Sequence, residues 1–209
     1  MSQPPASAST PRRRLHVDER RQLMIEAAQR LFSTRTVDEV SVDDIAGESG
    51  ASRALLYHYF ASKQDLYVAA LREAADELVA QVTSVDDQVV DPLARLAVSV
   101  HAYVDYASAH ATGFMTLLRG GPGAAEGEVG AVVQSVRNAL YTRLLAGLGA
   151  ANPRPITAVT LRAWIAVVET AALHWLEHPE LERTELEAYL VQALPALLGA
   201  AEQVRAGGS

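Results

Sequence analysis

The stretch "SVDDIAGESGASRALLYHYFASK", residues 41–63, decides how this chain folds. Ser41, with Asp44 three residues later, predicts a capped helix start, and the helix pattern ends at Gly50. A second short helix fits residues 52–59. Because neither helix is long enough to be stable alone, both must pack against neighbouring helices.

The spacing of Ala46, Gly50 and Leu56 is typical of a helix-turn-helix. The small alanine lets two helices cross closely, the glycine suits a left-handed turn, and the leucine anchors the second helix in a core. Taken alone, the same spacing also fits two connecting helices in an ordinary helical bundle.

The residues that follow favour the helix-turn-helix. Residues 41–71 closely resemble the DNA-binding signature of the tetracycline-repressor (TetR) family, above all in the run "LYHYFASKQDL". The resemblance covers about residues 20–70. It departs from the family pattern at Ala54, where the family often has glycine or a polar residue, and at Gly47-Glu48, which is usually more basic.

The resemblance implies phosphate contacts on one edge of the second helix. It assigns Tyr57 and His58 to the edge that faces the DNA backbone, where their polar groups can reach phosphate oxygens. Lys63, the only lysine of the chain, falls in the first turn of the next helix, where free backbone N–H groups favour an anion. We therefore expect Lys63 to contact a phosphate, and we expect Leu56, Tyr59 and Phe60 to be buried.

Base reading is expected at the exposed start of the second helix. Arg53 can pair bidentately with guanine, although a purely phosphate-bound Arg53 remains an alternative. Ala54 offers an apolar contact, for example to a thymine methyl group. Ser41 and Ser52 are expected to cap their helices and to touch the backbone of the DNA.

The rest of the chain also reads as helix, without strand patterns or repeats, so the fold class is all-α with about nine helices. Residues 1–14 are predicted to be a disordered tail, residues 15–66 a DNA-binding domain, and residues 67–204 a ligand-binding and dimerisation domain. The predicted helices are 19–34, 41–50, 52–59, 62–82, 91–109, 112–118, 128–148, 155–177 and 184–204, the last with a kink at Pro195.

Composition and charge fit this division. Residues 1–67 hold nine Arg or Lys against nine Asp or Glu, whereas the remainder of the 18 basic and 25 acidic residues is nine against sixteen. One end can therefore face a polyanion. Arg12–Arg14 are either a solvated tail or an arm that settles on DNA. The chain has no cysteine, no signal-type segment and no apolar run of about 20 residues, so we expect a soluble cytoplasmic protein.

The family resemblance also implies a homodimer that reads a palindromic operator, with its interface on helices 155–177 and 184–204. It further implies a cavity for a small-molecule inducer among helices 91–177. The candidate ligand contacts suggest a mostly apolar molecule with some polar feature. They are His101, Val104, Asp105, Phe114, Leu118, Tyr141, Trp164 and Val168, with Met115, Arg119, Asn138 and Glu169 as further candidates. For each of them a place in the ordinary core or on the surface is the alternative.

No catalytic chemistry stands out, and no cofactor or metal is expected. His101 with Asp105 lacks a nucleophile motif, and His174 with His178 lacks the HExxH pattern of a zinc site. The sequence therefore predicts a ligand-responsive DNA-binding regulator, a repressor rather than an enzyme. Two alternatives are an architectural DNA-binding protein of the same fold without an inducer, and a helical ligand-binding protein that does not bind DNA.

Overall fold

A computed structural model describes residues 17–84, 91–118, 127–178 and 180–206 of the chain. These residues form nine α-helices and no strand, which confirms the all-α fold class. The predicted tail and Arg12–Arg14 lie outside the described residues. The helices are α1 (Val17–Thr34), α2 (Val42–Ser49), α3 (Arg53–Tyr59), α4 (Lys63–Thr83), α5 (Pro92–Ala109), α6 (Ala111–Leu118), α7 (Gly127–Gly147), α8 (Pro155–Glu177) and α9 (Arg183–Ala206).

The helix-turn-helix is formed by α2 and α3, and local hydrogen bonds define its ends. Ser41 caps α2 in a complete capping box with Asp44. Gly50 ends α2 with φ 65°, a left-handed conformation that a residue with a side chain adopts only at a cost. Ser52 caps α3 by accepting a hydrogen bond from the backbone N–H of Leu55.

An N-terminal core joins this motif to α1 and to the first half of α4. Leu56 is almost completely buried in it and Phe60 is buried, as predicted, whereas Tyr59 is only half-buried at the edge. Removing the side chain of a leucine in such a position costs about 2–5 kcal/mol of stability. The N-terminal core consists of Met24, Ile25, Ala27, Ala28, Phe32, Val40, Ile45, Ala46, Leu56, Phe60, Leu66 and Ala70.

A second, C-terminal core lies among α5–α9 and the end of α4. Leu66 and Ala70 of α4 belong to the N-terminal core, whereas Leu78 and Val82 of the same helix belong to the C-terminal core. The predicted division between residues 66 and 67 thus falls inside one continuous helix. Since α4 enters both cores, it couples their packing.

Two helices form the far side of the C-terminal core. Within the described part of the chain, α8 is the one helix long and apolar enough to cross a bilayer, and it packs against α7 and α9 with Leu161 and Ala172 fully buried. α9 continues through Pro195 to Ala206. A proline inside a helix removes one backbone hydrogen bond, and here the neighbouring turns keep their helical form.

Candidate DNA-binding surface and ligand cavities

The outward face of α3 carries most of the predicted DNA contacts. Ser52, Arg53, Ala54, Tyr57 and His58 are all exposed, while Leu56 between them is turned into the core. A seven-residue helix with one apolar anchor therefore presents one polar edge to the outside. That arrangement has the shape and the chemistry of a recognition helix.

Arg53 is held across the two helices of the motif. Its Nη1 lies 2.9 Å from Oδ2 of Asp43 on α2, and its guanidinium lies 5.6 Å from the centre of the Tyr57 ring. Both charged side chains are more than half exposed, so the pair is weak and screened by salt. A phosphate or a base edge can replace Asp43 at little cost.

The two capping serines, Ser41 and Ser52, differ in whether the hydroxyl proton is already used in a hydrogen bond. The hydroxyl of Ser41 donates to Oδ2 of Asp44 at 2.8 Å and accepts from the backbone N–H of Asp44 at 3.1 Å. The backbone N–H of Ser41, followed by its hydroxyl, lowers the pKa of the Asp44 carboxyl. The hydroxyl of Ser52 only accepts, at 3.1 Å from the N–H of Leu55, which leaves its proton for a phosphate.

Lys63 has a structural role that the sequence did not indicate. Its Nζ donates to the carbonyl oxygens of Val37 at 2.8 Å and Val40 at 3.2 Å, which ties the start of α4 to the loop before α2. An ammonium carries three donors, so one remains for the predicted phosphate. A lysine suits this position because its compact charge can bind two carbonyl groups at once.

The loop 35–41, between α1 and α2, is held from within as well. Arg35 donates through Nη2 to the carbonyl oxygen of Glu39 and, at 3.3 Å, to Oδ2 of Asp44. The backbone N–H and the hydroxyl of Thr36 each lie 2.8 Å from Oε2 of Glu39, and they lower the pKa of that carboxyl. The position of α2 therefore depends on this loop.

A cavity of about 380 Å³, the interdomain cavity, lies between the two cores. α1 and the loop contribute Ser33, Arg35 and Val37 to its wall, and the C-terminal core contributes Phe114 and Leu118. A molecule bound here would touch the DNA-binding region and the C-terminal helices together. Since ligand sites usually measure about 300–1,000 Å³, this space suits a small molecule.

Several polar side chains line the interdomain cavity, and some of them are held in place by a neighbour. Glu169 lines it and is held by Arg137, whose Nε and Nη2 lie 2.8 and 2.9 Å from the two carboxylate oxygens. Burial raises the pKa of the Tyr103 hydroxyl well above its ordinary value, and the Glu169 carboxylate adds to this. Burial, then Glu77, raises the pKa of Tyr106, whose hydroxyl donates to the carbonyl oxygen of Ala74 at 2.9 Å. Both tyrosines therefore offer neutral hydroxyl groups.

A second cavity of about 190 Å³, the bundle cavity, lies among α5, α7, α8 and α9. Most of its wall is formed by aliphatic side chains and by the ring of Trp164, whose Nε1 donates to the carbonyl oxygen of Leu190 at 3.0 Å. Tyr103 lines both cavities. The indole nitrogen is thus already satisfied, and the bundle cavity is a mostly apolar space.

Comparison with known proteins identifies the family. The model of bacterial regulatory proteins of the tetR family matches residues 24–70, and the model of the tetracyclin repressor-like C-terminal domain matches residues 92–197. The chain belongs to the TetR family. Its homologues in this family are helix-turn-helix transcriptional regulators.

Individual TetR-family proteins extend this match. A TetR-family regulator from Streptomyces coelicolor of known structure is 39% identical, with a TM-score of 0.85 over 91% of this chain and 85% of that one. The transcriptional activator FasR of Mycolicibacterium smegmatis is 34% identical over 53% of this chain. The repressor KstR2 of Mycobacterium tuberculosis is 36% identical over 38% of it. The matches span 50% and 40% of the lengths of these two curated relatives.

The predicted ligand residues of this TetR-family protein divide between the two cavities. Phe114 and Leu118 line the interdomain cavity, as does Glu169, while Trp164 and Val168 line the bundle cavity. Arg119 lies outside the described residues. The sequence placed all of these residues in one pocket, because helical spacing does not show which of two neighbouring spaces a face borders.

The remaining ligand candidates line neither cavity. Val104 is completely buried in the C-terminal core, and Tyr141 lies 4.2 Å beneath the guanidinium of Arg162. Met115 is half-buried away from both spaces, and Asn138 accepts a hydrogen bond from Gln134 at 3.2 Å. None of these four side chains borders the interdomain cavity or the bundle cavity, and their role as ligand contacts stays a prediction.

His101 and Asp105 are also placed away from both cavities. They lie on the exposed side of α5 and meet α9, where Arg183 donates to Asp105 at 3.1 Å and Glu187 lies 3.2 Å from the His101 ring. In the structure these two side chains form a surface link between α5 and α9, and their role as a polar anchor for a ligand stays a prediction. Their spacing of one turn correctly indicated a shared face but not the partner helix.

His174 and His178, which the sequence analysis rejected as a zinc site, lie next to each other. The rings of His174 and His178 lie 4.0 Å apart between their centres, and Nδ1 of His178 lies 3.2 Å from Oε1 of Glu180. Among the residues that the structure describes, no group of three or more histidine or acidic side chains could hold a metal ion.

Sequence reasoning missed the residues that close the interdomain cavity from the DNA-binding side. Gln29, Ser33, Arg35 and Val37 line it, together with Tyr67 on α4. The first four fall within the predicted DNA-binding domain, residues 15–66, and Tyr67 directly follows it, so no motif indicated a ligand role for them. Only the packing of α1 against α4 and α6 brings them to the cavity.

Proposed function

We propose that this TetR-family protein is a homodimeric repressor that a mostly apolar small molecule releases from a palindromic operator. The observation that supports this most directly is the interdomain cavity, because residues of α1 and of the C-terminal core share its wall. In this proposal residues 15–66 read DNA in the cytoplasm, and residues 67–204 bind the inducer and form the dimer.

The DNA contacts follow the outward face of α3. Arg53 exchanges Asp43 for a guanine edge, and Ala54 next to it meets a base through its methyl group. Tyr57 and His58 contact phosphates, as do Ser41, Ser52 and Lys63 at the adjoining helix starts. The exposure of the α3 residues supports this assignment.

The dimer forms through the outer faces of α8 and α9. Ile156 and Val159 on α8, and Tyr189, Leu197 and Val204 on α9, are large apolar side chains exposed to solvent. Exposed apolar patches of this kind mark interaction surfaces. Two copies joined here would place two recognition helices on half-sites about one DNA turn apart.

The inducer occupies the interdomain cavity. Since one water-sized group fills about 30 Å³, the cavity holds a molecule of roughly a dozen non-hydrogen atoms. Its apolar wall binds the body of the ligand, and the Glu169 carboxylate with the tyrosine hydroxyls recognises a polar group.

Two contacts allow a ligand in the interdomain cavity to move the DNA-binding region. Val37 lines the cavity and binds Lys63 through its carbonyl, so a ligand that displaces the loop 35–41 moves a DNA contact. On α6, a Cβ added at Gly113 would lie 3.0 Å from the carbonyl oxygen of Phe32 at the end of α1. This close approach lets α6 push directly on α1.

Selection of the purified protein against random duplex DNA at about 150 mM salt tests the proposal, because affinities depend on salt. We expect an enriched inverted repeat, and a folded dimer that enriches nothing would overturn the DNA-reading proposal. A reporter gene behind that repeat then tests the sign of regulation, since one curated relative is named an activator and the other a repressor.

The inducer is tested on the same operator. A panel of apolar compounds is screened for release of the protein, measured by fluorescence anisotropy of labelled DNA. Val136→Phe, which fills the interdomain cavity, should abolish release and keep operator affinity; Gly147→Leu in the bundle cavity is the matched control. Release that survives Val136→Phe would place the inducer elsewhere.

A further inference from the structure

The bundle cavity has a charge pattern that differs from that of the interdomain cavity. Arg95 on α5 and Arg143 on α7 line it, and no acidic side chain does so among the described residues. The interdomain cavity, in contrast, is lined by both acidic and basic side chains, among them Glu77, Glu169 and Arg35. The bundle cavity therefore combines an apolar wall with positive charge only.

These two arginines are half-buried and have no partner in the described part of the chain. Neither guanidinium group makes a hydrogen bond or an ion pair there. Of the four other half-buried arginines, Arg35, Arg137 and Arg183 each bind a carboxylate, whereas Arg20 on α1 binds none among the described residues. Removing a charge partly from water without a partner costs free energy. Binding of an anion by Arg95 and Arg143 would recover part of this cost.

The mouth of the bundle cavity is apolar. Leu93 and Leu148 line it and are 49% and 45% exposed, among the large apolar side chains that the fold leaves in water. Trp164, Val168 and Leu194 form the deeper wall. A ligand with a hydrocarbon chain would cover the exposed leucines and fill the interior, which the hydrophobic effect favours.

We infer that the bundle cavity is a second binding site, for a carboxylic acid with a hydrocarbon chain, whose carboxylate binds Arg95 and Arg143. A guanidinium pairs with a carboxylate through two parallel hydrogen bonds, a geometry that an alcohol cannot match. At about 30 Å³ per water-sized group, the interior holds roughly six chain atoms, and the rest of the chain lies along the mouth. This site is additional to the proposed inducer site and does not depend on it.

Trp164 allows a direct test without DNA. The chain has two tryptophans, so Trp175→Phe leaves Trp164 as the only one. The probe is 8-bromooctanoate, whose bromine quenches indole fluorescence on contact, and the matched neutral probe is 8-bromo-1-octanol. We expect saturable quenching by the acid, with an affinity about tenfold or more above that of the alcohol.

Four variants in this background locate the site. Arg95→Gln and Arg143→Gln should each weaken the acid several-fold and leave the alcohol unchanged, whereas Arg162→Gln, an exposed arginine away from the cavity, should change neither. Gly147→Leu should abolish quenching by both probes. A Cβ at Gly147 meets no heavy atom within 4 Å, so the variant should fold, which circular dichroism confirms.

Three outcomes would overturn the inference. Absence of saturable quenching in the Trp175→Phe protein removes the site. Equal affinity for acid and alcohol, unchanged by Arg95→Gln and Arg143→Gln, removes the anion assignment. Quenching that is lost in Val136→Phe but kept in Gly147→Leu would move the ligand to the interdomain cavity. Because the assay contains no DNA, none of these outcomes bears on operator binding.

Discussion

The DNA-binding region and the C-terminal region hold their shape by different means. Around the helix-turn-helix, hydrogen bonds of single residues fix the short helices. Ser41 caps α2, Gly50 ends it, and Lys63 binds the loop that precedes it. In the C-terminal region long helices pack through broad apolar faces, and the packing leaves two cavities and an exposed apolar surface. The first arrangement fixes a small surface rigidly, whereas the second leaves internal space and exposed apolar side chains.

Breaking the buried ion pair of the C-terminal region should have the largest effect. Arg137→Met leaves Glu169 buried without its partner, which typically costs about 3–5 kcal/mol. We expect that loss in urea denaturation, and we expect the double variant Arg137→Met/Glu169→Met to recover most of it. A double variant no more stable than Arg137→Met would show that packing, and not the unpaired charge, causes the loss.

Leu56→Ala breaks the N-terminal core instead. We expect a loss of about 2–5 kcal/mol in the DNA-binding region and loss of operator binding. Limited proteolysis should then cut α1–α3 first and leave α5–α9 protected. Cleavage of both regions at one rate would show that α4 makes the two cores a single cooperative unit, so that the two regions are not stabilised separately.

Lys63→Ala tests the clamp between α4 and the loop 35–41. Two charged hydrogen bonds are lost, so we expect about 1.5–3 kcal/mol of destabilisation. If Lys63 also binds a phosphate, as proposed, binding to all DNA weakens alike and the salt dependence becomes shallower by about one unit of slope. An unchanged slope would leave Lys63 with the clamp alone.

Arg53→Ala is the matched test of base reading. It should relax the preference at particular positions of the operator, measured by repeating the selection with the variant. The exposed pair with Asp43 adds little stability, so the variant should fold normally. A uniform loss of affinity at every position would assign Arg53 to phosphate binding.

Gly113→Ala probes the contact between the two regions. The added methyl group would lie 3.0 Å from the carbonyl oxygen of Phe32, so α6 and α1 must separate slightly, at a cost of about 1–3 kcal/mol. We expect weaker operator binding without inducer and unchanged dimerisation. Gly147→Ala, which meets no neighbour, is the control. Equal operator affinity in both variants would contradict the proposed coupling.

The smallest effect concerns acid. Hydrogen bonds lower the pKa values of the Glu39 and Asp44 carboxyl groups from 4.5 and 3.8, respectively. The two carboxylates therefore stabilise the fold fully above these unshifted values, and this stabilisation is lost as the pH falls through the lowered pKa values. We expect the DNA-binding region to lose stability below about pH 4.5. Asp44→Asn should flatten this acid dependence, whereas Glu185→Gln, an exposed residue on α9, should not.

Local rules account for what could be predicted at the DNA-binding surface. The capping box at Ser41, the left-handed turn at Gly50 and the outward face of α3 each depend on residues within a few positions of one another. The sequence therefore determined the nine helices, the helix-turn-helix and the family. Lys63 shows the limit of such rules, because its carbonyl partners lie 26 and 23 positions away.

The positions of the two cavities depended on tertiary structure. Periodicity marked Phe114, Trp164 and Val104 as apolar, yet they belong to the interdomain cavity, the bundle cavity and the solid core, respectively. A helical pattern states which side of a helix is buried but not which helix covers it or whether space remains between them. The sequence by itself determined the elements and their polar faces. Only the packing of α1 against α4 and α6 brought the interdomain cavity to the DNA-binding region, and only the packing of α5, α7, α8 and α9 left the bundle cavity, because a cavity is a property of several helices at once.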